Sequence, residues 1–339
     1  MVQTPTVSVV MAVYNTERYV AQAIDSILRQ TFTDFELIIL NDGSTDGSLR
    51  ILQQYAQRDG RIRLISRENQ GIPRTRNDLL MASQGEFMAV MDSDDVSLPD
   101  RLSLQVNFLR QNPEVVCVGG AHDLIDHKGR FLTRLQLPTD DKAIQQAAIV
   151  GHAPICNPCA VIRRDALLQI GGYDERLEQA EDLDVWLKLG EIGKLANLSD
   201  SVLQYRVHPQ SISERAQLFQ RQKAREACER AWHRRGIATG VFEATQPWRS
   251  VGTRPSQQSF LLQYGWWAFQ SQQRTTALIY AIKAILTIPW KRNGWNLLAC
   301  ALIKPFPSDQ SVDSTNHSNS DHPKSQTEPS KIQSHSVHL

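Results

Sequence analysis

Cysteine is scarce in this chain of 339 residues. The five present, Cys117, Cys156, Cys159, Cys228 and Cys300, are unevenly spread. That excludes a disulfide-stapled scaffold and makes a reducing, cytosolic setting the simplest expectation. The one close pair, Cys156-Asn157-Pro158-Cys159, has the spacing of redox and zinc motifs. It has no second ligand pair in the sequence and no thioredoxin-like context, so it reads as structural. Met1–Pro5 runs straight into an expected strand, so no secretory signal is expected. The chain has no internal repeats, and it carries no P-loop, dinucleotide fingerprint or nucleophile triad.

An excess of one charge is lacking overall, since the net charge is +1, but its distribution is uneven. Residues 1–214 hold 21 Lys/Arg and 29 Asp/Glu, a balance of −8; residues 215–306 hold 14 and 3, a balance of +11. A basic section following an acidic one suggests contact with an anionic surface. Within it, Ser259–Phe269 and Thr275–Ile288 are apolar, and Lys283 interrupts the second. That run falls short of the roughly 20 residues a membrane-spanning helix needs. Trp290, Lys291, Arg292 and Trp295 follow, a mixture suited to a membrane interface, so 259–304 is expected to touch a membrane surface peripherally. Packing on the preceding domain is the competing reading. Its tryptophans lie in apolar helical runs rather than on a sheet platform, which argues against a nucleic-acid partner. From Ser308 onward Ser, Asn, His, Gln and Pro dominate, and 307–339 reads as a disordered tail.

What is abundant is alternation. Apolar strands are expected at Thr6–Val13, Phe35–Leu40, Ile62–Ile65, Phe87–Met91 and Val115–Gly120. Helical periodicity lies between them, from Glu17, around Leu49–Tyr55, over Arg74–Ser83 and over Pro99–Arg110. This pattern predicts an α/β domain with a mostly parallel sheet and helices on both faces. After residue 130 the alternation weakens, until a turn at Gly171–Glu175 precedes a helix over Asp182–Leu189. Residues 215–235 read as a basic helix.

Three acidic clusters stand on this framework: Asn41-Asp42-Gly43-Ser44-Thr45-Asp46 after the second strand, Asp92-Ser93-Asp94-Asp95 after the fourth, and Glu181-Asp182-Leu183-Asp184 at a helix start. Carboxylates where parallel strands end face the crevice in which open α/β sheets bind ligands. Closely spaced carboxylates repel one another and suit a hard dication such as Mg2+ or Mn2+, which binds through one or two of them plus substrate phosphates. A further carboxylate could serve as a base. Together they suggest group transfer from a nucleotide-linked donor.

The same segments, taken in order over roughly 5–215, resemble family 2 glycosyltransferases of the GT-A (Rossmann-like, nucleotide-diphospho-sugar transferase) fold. The matching pieces are Val7–Asn15, Phe35–Asp46, Asn69-Gln70-Gly71 with Arg76-Asn77, Gly85–Asp95, Gly171–Glu175, Glu181-Asp182 and Tyr205-Arg206-Val207-His208. The resemblance implies an inverting, metal-dependent transferase, acting in cell-surface polysaccharide biosynthesis. Its donor would be a nucleotide-diphospho-sugar, with UDP the expected nucleotide, and its acceptor a glycan or lipid-linked hydroxyl. It implies donor contacts at Ala12, Tyr14, Glu17, Asp42, Arg76, Asn77, Asp92 and Arg206. It implies Mn2+ or Mg2+ on Asp94 with Asp92, Asp95 and His208, and Asp182 as base beside Glu181.

The expected organisation is a GT-A catalytic domain over 1–214, a basic amphipathic helical extension over 215–306 and the tail. The expected location is the cytoplasm, peripheral on the inner face of the membrane. Two alternatives remain. A nucleotidyltransferase would want a Gly-rich basic loop where Tyr14-Asn15-Thr16-Glu17 stands, and a non-catalytic nucleotide-sugar-binding subunit would show damage in the acidic motifs, which are intact.

Overall fold

A computed structural model describes residues 4–208, 217–244 and 253–306. The expected tail over 307–339 and the boundary at 214/215 lie outside the described residues.

Strands β1 (Val7–Val13), β2 (Phe35–Asp42), β3 (Ile62–Arg67) and β4 (Phe87–Asp92) pair in parallel in the order β3-β2-β1-β4. Their apolar runs are continuous because both faces are covered. Val7, Val9, Met11 and Val13 of β1 point to one core with α1 (Val20–Leu28) and α4 (Arg101–Gln111), while Val10 points to a second with α3 (Ile72–Ala82). α2 (Ser48–Arg58) lies on the first side through Leu52.

Beyond β4 the sheet continues through β8 (Val161–Arg163), β6 (Val115–Asp126), β9 (Lys194–Val207) and β5 (Val96–Ser97), and β7 (Phe131–Leu135) hairpins onto β6. β8, β5 and β7 run antiparallel to their neighbours, so six of the nine strands share one direction. These additions explain the weak alternation after residue 130. β8 has three residues, and β9 mixes exposed and buried positions as its pairing with β6 shifts register. Strands so short or irregular carry no usable period.

Around them lie α5 (Asp141–Ile149), α6 (Arg164–Gln169) and α7 (Glu181–Leu189). α8 (Gln217–Arg234) is the expected basic helix, and it packs Ala227, Cys228 and Ala231 against α5 and α7 through Ala148, Leu183 and Leu187. α9 (Arg254–Gln270), α10 (Arg274–Thr287) and α11 (Arg292–Ile303) form a small bundle. Gln258 donates to the carbonyls of Ala284 and Ile288, and Arg274 donates to those of Ala301 and Lys304. Carbonyls at two helix ends thereby gain side-chain donors. The bundle rests on the sheet edge, where Tyr280 joins Leu124, Leu132, Leu135 and Val207 and its hydroxyl donates to buried Asp126 at 3.2 Å. No helix among the described residues is long and apolar enough to cross a membrane.

Candidate active site

The carboxyl ends of β1, β2 and β4 lie side by side, with Ala12 of β1 opposite Leu40 of β2 and Asp92 of β4. This is the edge at which open α/β sheets leave room for a ligand. Three layers of side chains surround it.

The first layer is the rim after β1 and β2. Tyr14 is half exposed. Asn15 adopts a left-handed backbone (φ 54°) and its Oδ1 accepts from Thr45 N–H at 2.7 Å, which ties the two loops together. Glu17 accepts from Gly47 N–H at 2.6 Å, at the start of α2. It meets a helix dipole, though of α2 rather than of its own helix. Asp42 is buried, and its two carboxylate oxygens accept from Gln70 and Gly71 N–H, each at 3.0 Å, while Arg67 pairs with it at 2.9 Å. Gly43 takes φ +73°, and a Cβ there would sit 2.6 Å from Asn69 N, so the turn needs glycine.

The second layer follows β4. Asp94 Oδ2 lies 2.7 Å from His208 Nε2. Asp95 is buried; Oδ1 accepts from Arg206 N–H at 2.7 Å, and Oδ2 has no partner. Burial, with the charges of Asp94 and Asp92, holds the Asp95 carboxyl well above its usual range. The guanidinium of Arg206 is buried and turned inward. It donates to the Asp94 carbonyl at 2.7 Å and to Gln22 Oε1 at 2.8 Å, and it stacks 4.8 Å from the ring of Tyr19. The same Tyr19 ring lies 5.0 Å from that of His208. Arg206 thus holds the shape of the acidic turn from behind. Gln22 and Tyr19, which do this with it, were not singled out in the sequence: on α1 and its entry they read as ordinary helix positions.

The third layer is Arg76 of α3. Its partly buried guanidinium pairs with Glu181 and reaches Asp92 at 3.9 Å, with the Tyr173 ring 5.6 Å away. Two acidic motifs some ninety residues apart therefore share one cation. Burial pushes Glu181 up to about 7 against the pull of Arg76, with the charge of Asp182 adding to the rise. Asp182 is raised by burial too, and its Oδ1 accepts from Leu183 N–H at 2.8 Å. Asp92 is raised by crowding out of water, opposed by Arg76 and reinforced by Asp94 and Asp182. Asp184 is apart from this group, buried and ion-paired to Lys188 one turn on.

Asn77, expected at the donor, turns the other way. Its amide closes both backbone bonds of Tyr173, accepting from N–H and donating to C=O at 2.8 Å each. A planar amide matches a peptide group, so it pins the Gly171-Gly172-Tyr173 turn against α3. Gly172 stands at φ +69°, and a Cβ would meet Asn77 Oδ1 at 2.6 Å. Gly172→Ala is expected to cost roughly 1–3 kcal/mol and to lower the melting temperature, measured by calorimetry.

Two solved structures share the architecture. The chain matches the mannosyltransferase PcManGT of Pyrobaculum calidifontis, in complex with GDP-Man and Mn2+, at TM-score 0.52 and 19% identity, covering 90% of this chain and 82% of that one. It matches TarS 1–349 of S. aureus in complex with UDP-GlcNAc at TM-score 0.50 and 18% identity, covering 88% and 87%. The fold is the GT-A glycosyltransferase fold, a curled, mostly parallel sheet with its helices and a helical C-terminal region. The chain belongs to glycosyl transferase family 2, whose sequence model matches residues 8–171. It is 34% identical over 218 residues to the putative glycosyltransferase EpsE of Bacillus subtilis (strain 168), covering 62% of this chain and 77% of that protein. It is 34% identical over 214 residues to the O-antigen biosynthesis glycosyltransferase WbnJ of Escherichia coli, covering 62% and 83%. Against the chondroitin synthase of Escherichia coli identity is 30% over 209 residues, and the chain spans only 30% of that protein's length.

Proposed function

We propose that this glycosyltransferase is inverting and metal-dependent, moving a sugar from a UDP-sugar to a hydroxyl of a glycan or lipid-linked acceptor in cell-surface polysaccharide synthesis. The observation that carries the reading is the sharing of Arg76 between Asp92 and Glu181. It brings the Asp92–Asp95 turn and the Glu181-Asp182 pair together, which supports a shared cleft for donor and acceptor. The relative named for O-antigen biosynthesis supports the polymer context.

In this reading residues 1–214 carry the chemistry. Tyr14, exposed beyond β1, stacks on the base, and Ala12, Glu17 and Asp42 shape the nucleoside pocket. Asp42 and Glu17 do so while also capping the neighbouring loop and helix. The residue types suit a hard dication: Asp94 Oδ2 and His208 Nε2 lie together, and Asp95 Oδ2 is a buried oxygen without a partner, though the four side chains are not gathered on one point. Asp94, with Asp92, Asp95 and His208, would hold Mn2+ or Mg2+, which supplies charge neutralisation for the departing diphosphate. Arg206 and Asn77 serve the donor indirectly, by fixing the Asp94 backbone and the 171–173 turn. Asp182 takes the proton of the acceptor hydroxyl as that oxygen attacks the anomeric carbon. Glu181, beside it, orients the acceptor, and burial keeps the Asp182 carboxylate basic. The test is calorimetric titration of the protein with UDP-, GDP- and dTDP-sugars, with and without Mn2+. Binding of a UDP-sugar only with metal is the expected result. Binding of none would sink this reading in favour of a non-catalytic one.

A second observation favours a membrane-facing role for 259–304 within the 215–306 extension. While the bundle packs one face on the sheet, Ile282, Leu286, Trp290, Trp295, Leu302 and Ile303 are all exposed, from 49% at Ile282 to 81% at Ile303. Lys291, Arg292 and Lys304 flank them on the surface. Apolar side chains with aromatic and basic neighbours suit the interface of an anionic bilayer, here the inner face of the membrane. The expected result is co-sedimentation with vesicles containing anionic lipid. Leu286→Ser with Trp290→Ser should weaken it by about tenfold or more. Equal sedimentation of that variant would refute the contact.

A further inference from the structure

His122, Cys156 and Cys159 form a cluster that the transferase reading does not use. Their candidate ligand atoms, an imidazole nitrogen and two sulfurs, all lie within 4.8 Å of one another. A tetrahedral Zn2+ with sulfurs at about 2.3 Å needs them about 3.8 Å apart, so small side-chain adjustments would close the site. Two elements far apart in sequence build it. His122 stands on β6, paired to Leu135 of β7, and is 3% exposed. Cys156 caps, and Cys159 ends, a single 3-10 turn, whose N–H of Cys159 donates to the Cys156 carbonyl at 2.9 Å. Such a turn presents both sulfurs to one side. Gln105 donates to the Cys159 carbonyl at 2.7 Å, and Arg101 donates to that of Ala160, so the backbone that carries the sulfurs is held in advance.

Two thiols in an apolar core need no ligand, for cysteine packs well as a small hydrophobe. The histidine does not fit that account. Its Nδ1 is buried without a hydrogen-bond partner, a cost that a purely packing role leaves unexplained.

We propose that His122, Cys156 and Cys159 form a soft-metal site that binds Zn2+. The half-buried side of Cys156 is the entry path and leaves the fourth position to water. Two thiolates and an imidazole select Zn2+ over the hard dications suited to carboxylates. The ion would be a staple behind the active site. The 3-10 turn adjoins β4, with Val90 N–H donating to the Ala160 carbonyl at 2.9 Å and Arg101 bridging to the Val90 carbonyl at 2.8 Å. Its occupancy would stiffen the strand from which Asp92–Asp95 emerges.

Cobalt titration of the reduced, chelator-treated full chain tests this. Thiolate-to-cobalt charge transfer in the near ultraviolet reports sulfur ligation and ignores oxygen ligands. The band is expected to saturate at one equivalent, to be displaced by Zn2+ and to persist in Asp94→Asn. Cys159→Ser and Cys156→Ser should each abolish or strongly weaken it. No band in the wild-type protein, or an unchanged band in both folded serine variants, would overturn the site. Should the variants fail to fold, alkylation followed by mass spectrometry serves on the wild-type chain. Zn2+ should slow labelling of Cys156 by about tenfold or more without changing Cys300. Equal labelling of Cys156 with and without Zn2+, or a Cys156–Cys159 disulfide forming in its place under reducing conditions, would also overturn it.

Discussion

Asp182→Asn is expected to leave UDP-sugar binding intact and to slow transfer by about 10²–10⁴-fold, the contribution of one positioned general base. The amide keeps the oxygen that accepts from Leu183 N–H, so the helix start should survive. Its lost charge leaves Arg76 with Glu181 and Asp92, so the contacts of Arg76 remain. The pH profile adds a sign. Burial raises the Asp182 carboxyl above its ordinary value, so the basic form needed for transfer is lost as pH falls through that raised value. The acid limb of kcat/KM should therefore lie above the ordinary aspartate range and vanish in the variant. Wild-type turnover by Asp182→Asn, in a single-turnover assay with saturating donor, would remove Asp182 from the chemistry.

The second large effect is on donor affinity. Asp94→Asn is expected to reduce UDP binding in Mn2+ to its level in EDTA, a loss of at least about 100-fold if the metal bridges protein and diphosphate. The asparagine can still face His208, and the Asp94 carbonyl still accepts from Arg206, so the turn is preserved while its charge is removed. Arg206→Lys should produce a milder version. A lysine cannot reach the Asp94 carbonyl and Gln22 together in the planar manner of a guanidinium. Calorimetry with and without Mn2+ separates the cases, and unchanged manganese dependence in Asp94→Asn would exclude it as a metal ligand.

Much of this protein was legible from its residues. The first four strands and the helices between them follow from apolar runs and helical periodicity, both local properties. So do the positions of Asp42 and Asp92 at strand ends. The helix at Glu181 announced itself by its acidic first turn. The later part was not legible, because β5 and β8 are too short for a period and exist only through pairing with strands far away in sequence, and β9 shifts register along β6.

The sequence by itself determined the α/β class, the acidic motifs and the apolar runs near the C-terminus, since each depends on residues within one segment. Tertiary structure alone decided which motif meets which: Arg76 between Asp92 and Glu181, Arg206 turned behind Asp94, Asn77 spent on Tyr173, and His122 brought beside Cys156 and Cys159. The cysteine pair looked incomplete because its third partner lies on another strand. Side-chain roles of this kind are set by long-range strand order and by the need to pair buried polar groups, and neither leaves a mark on local pattern.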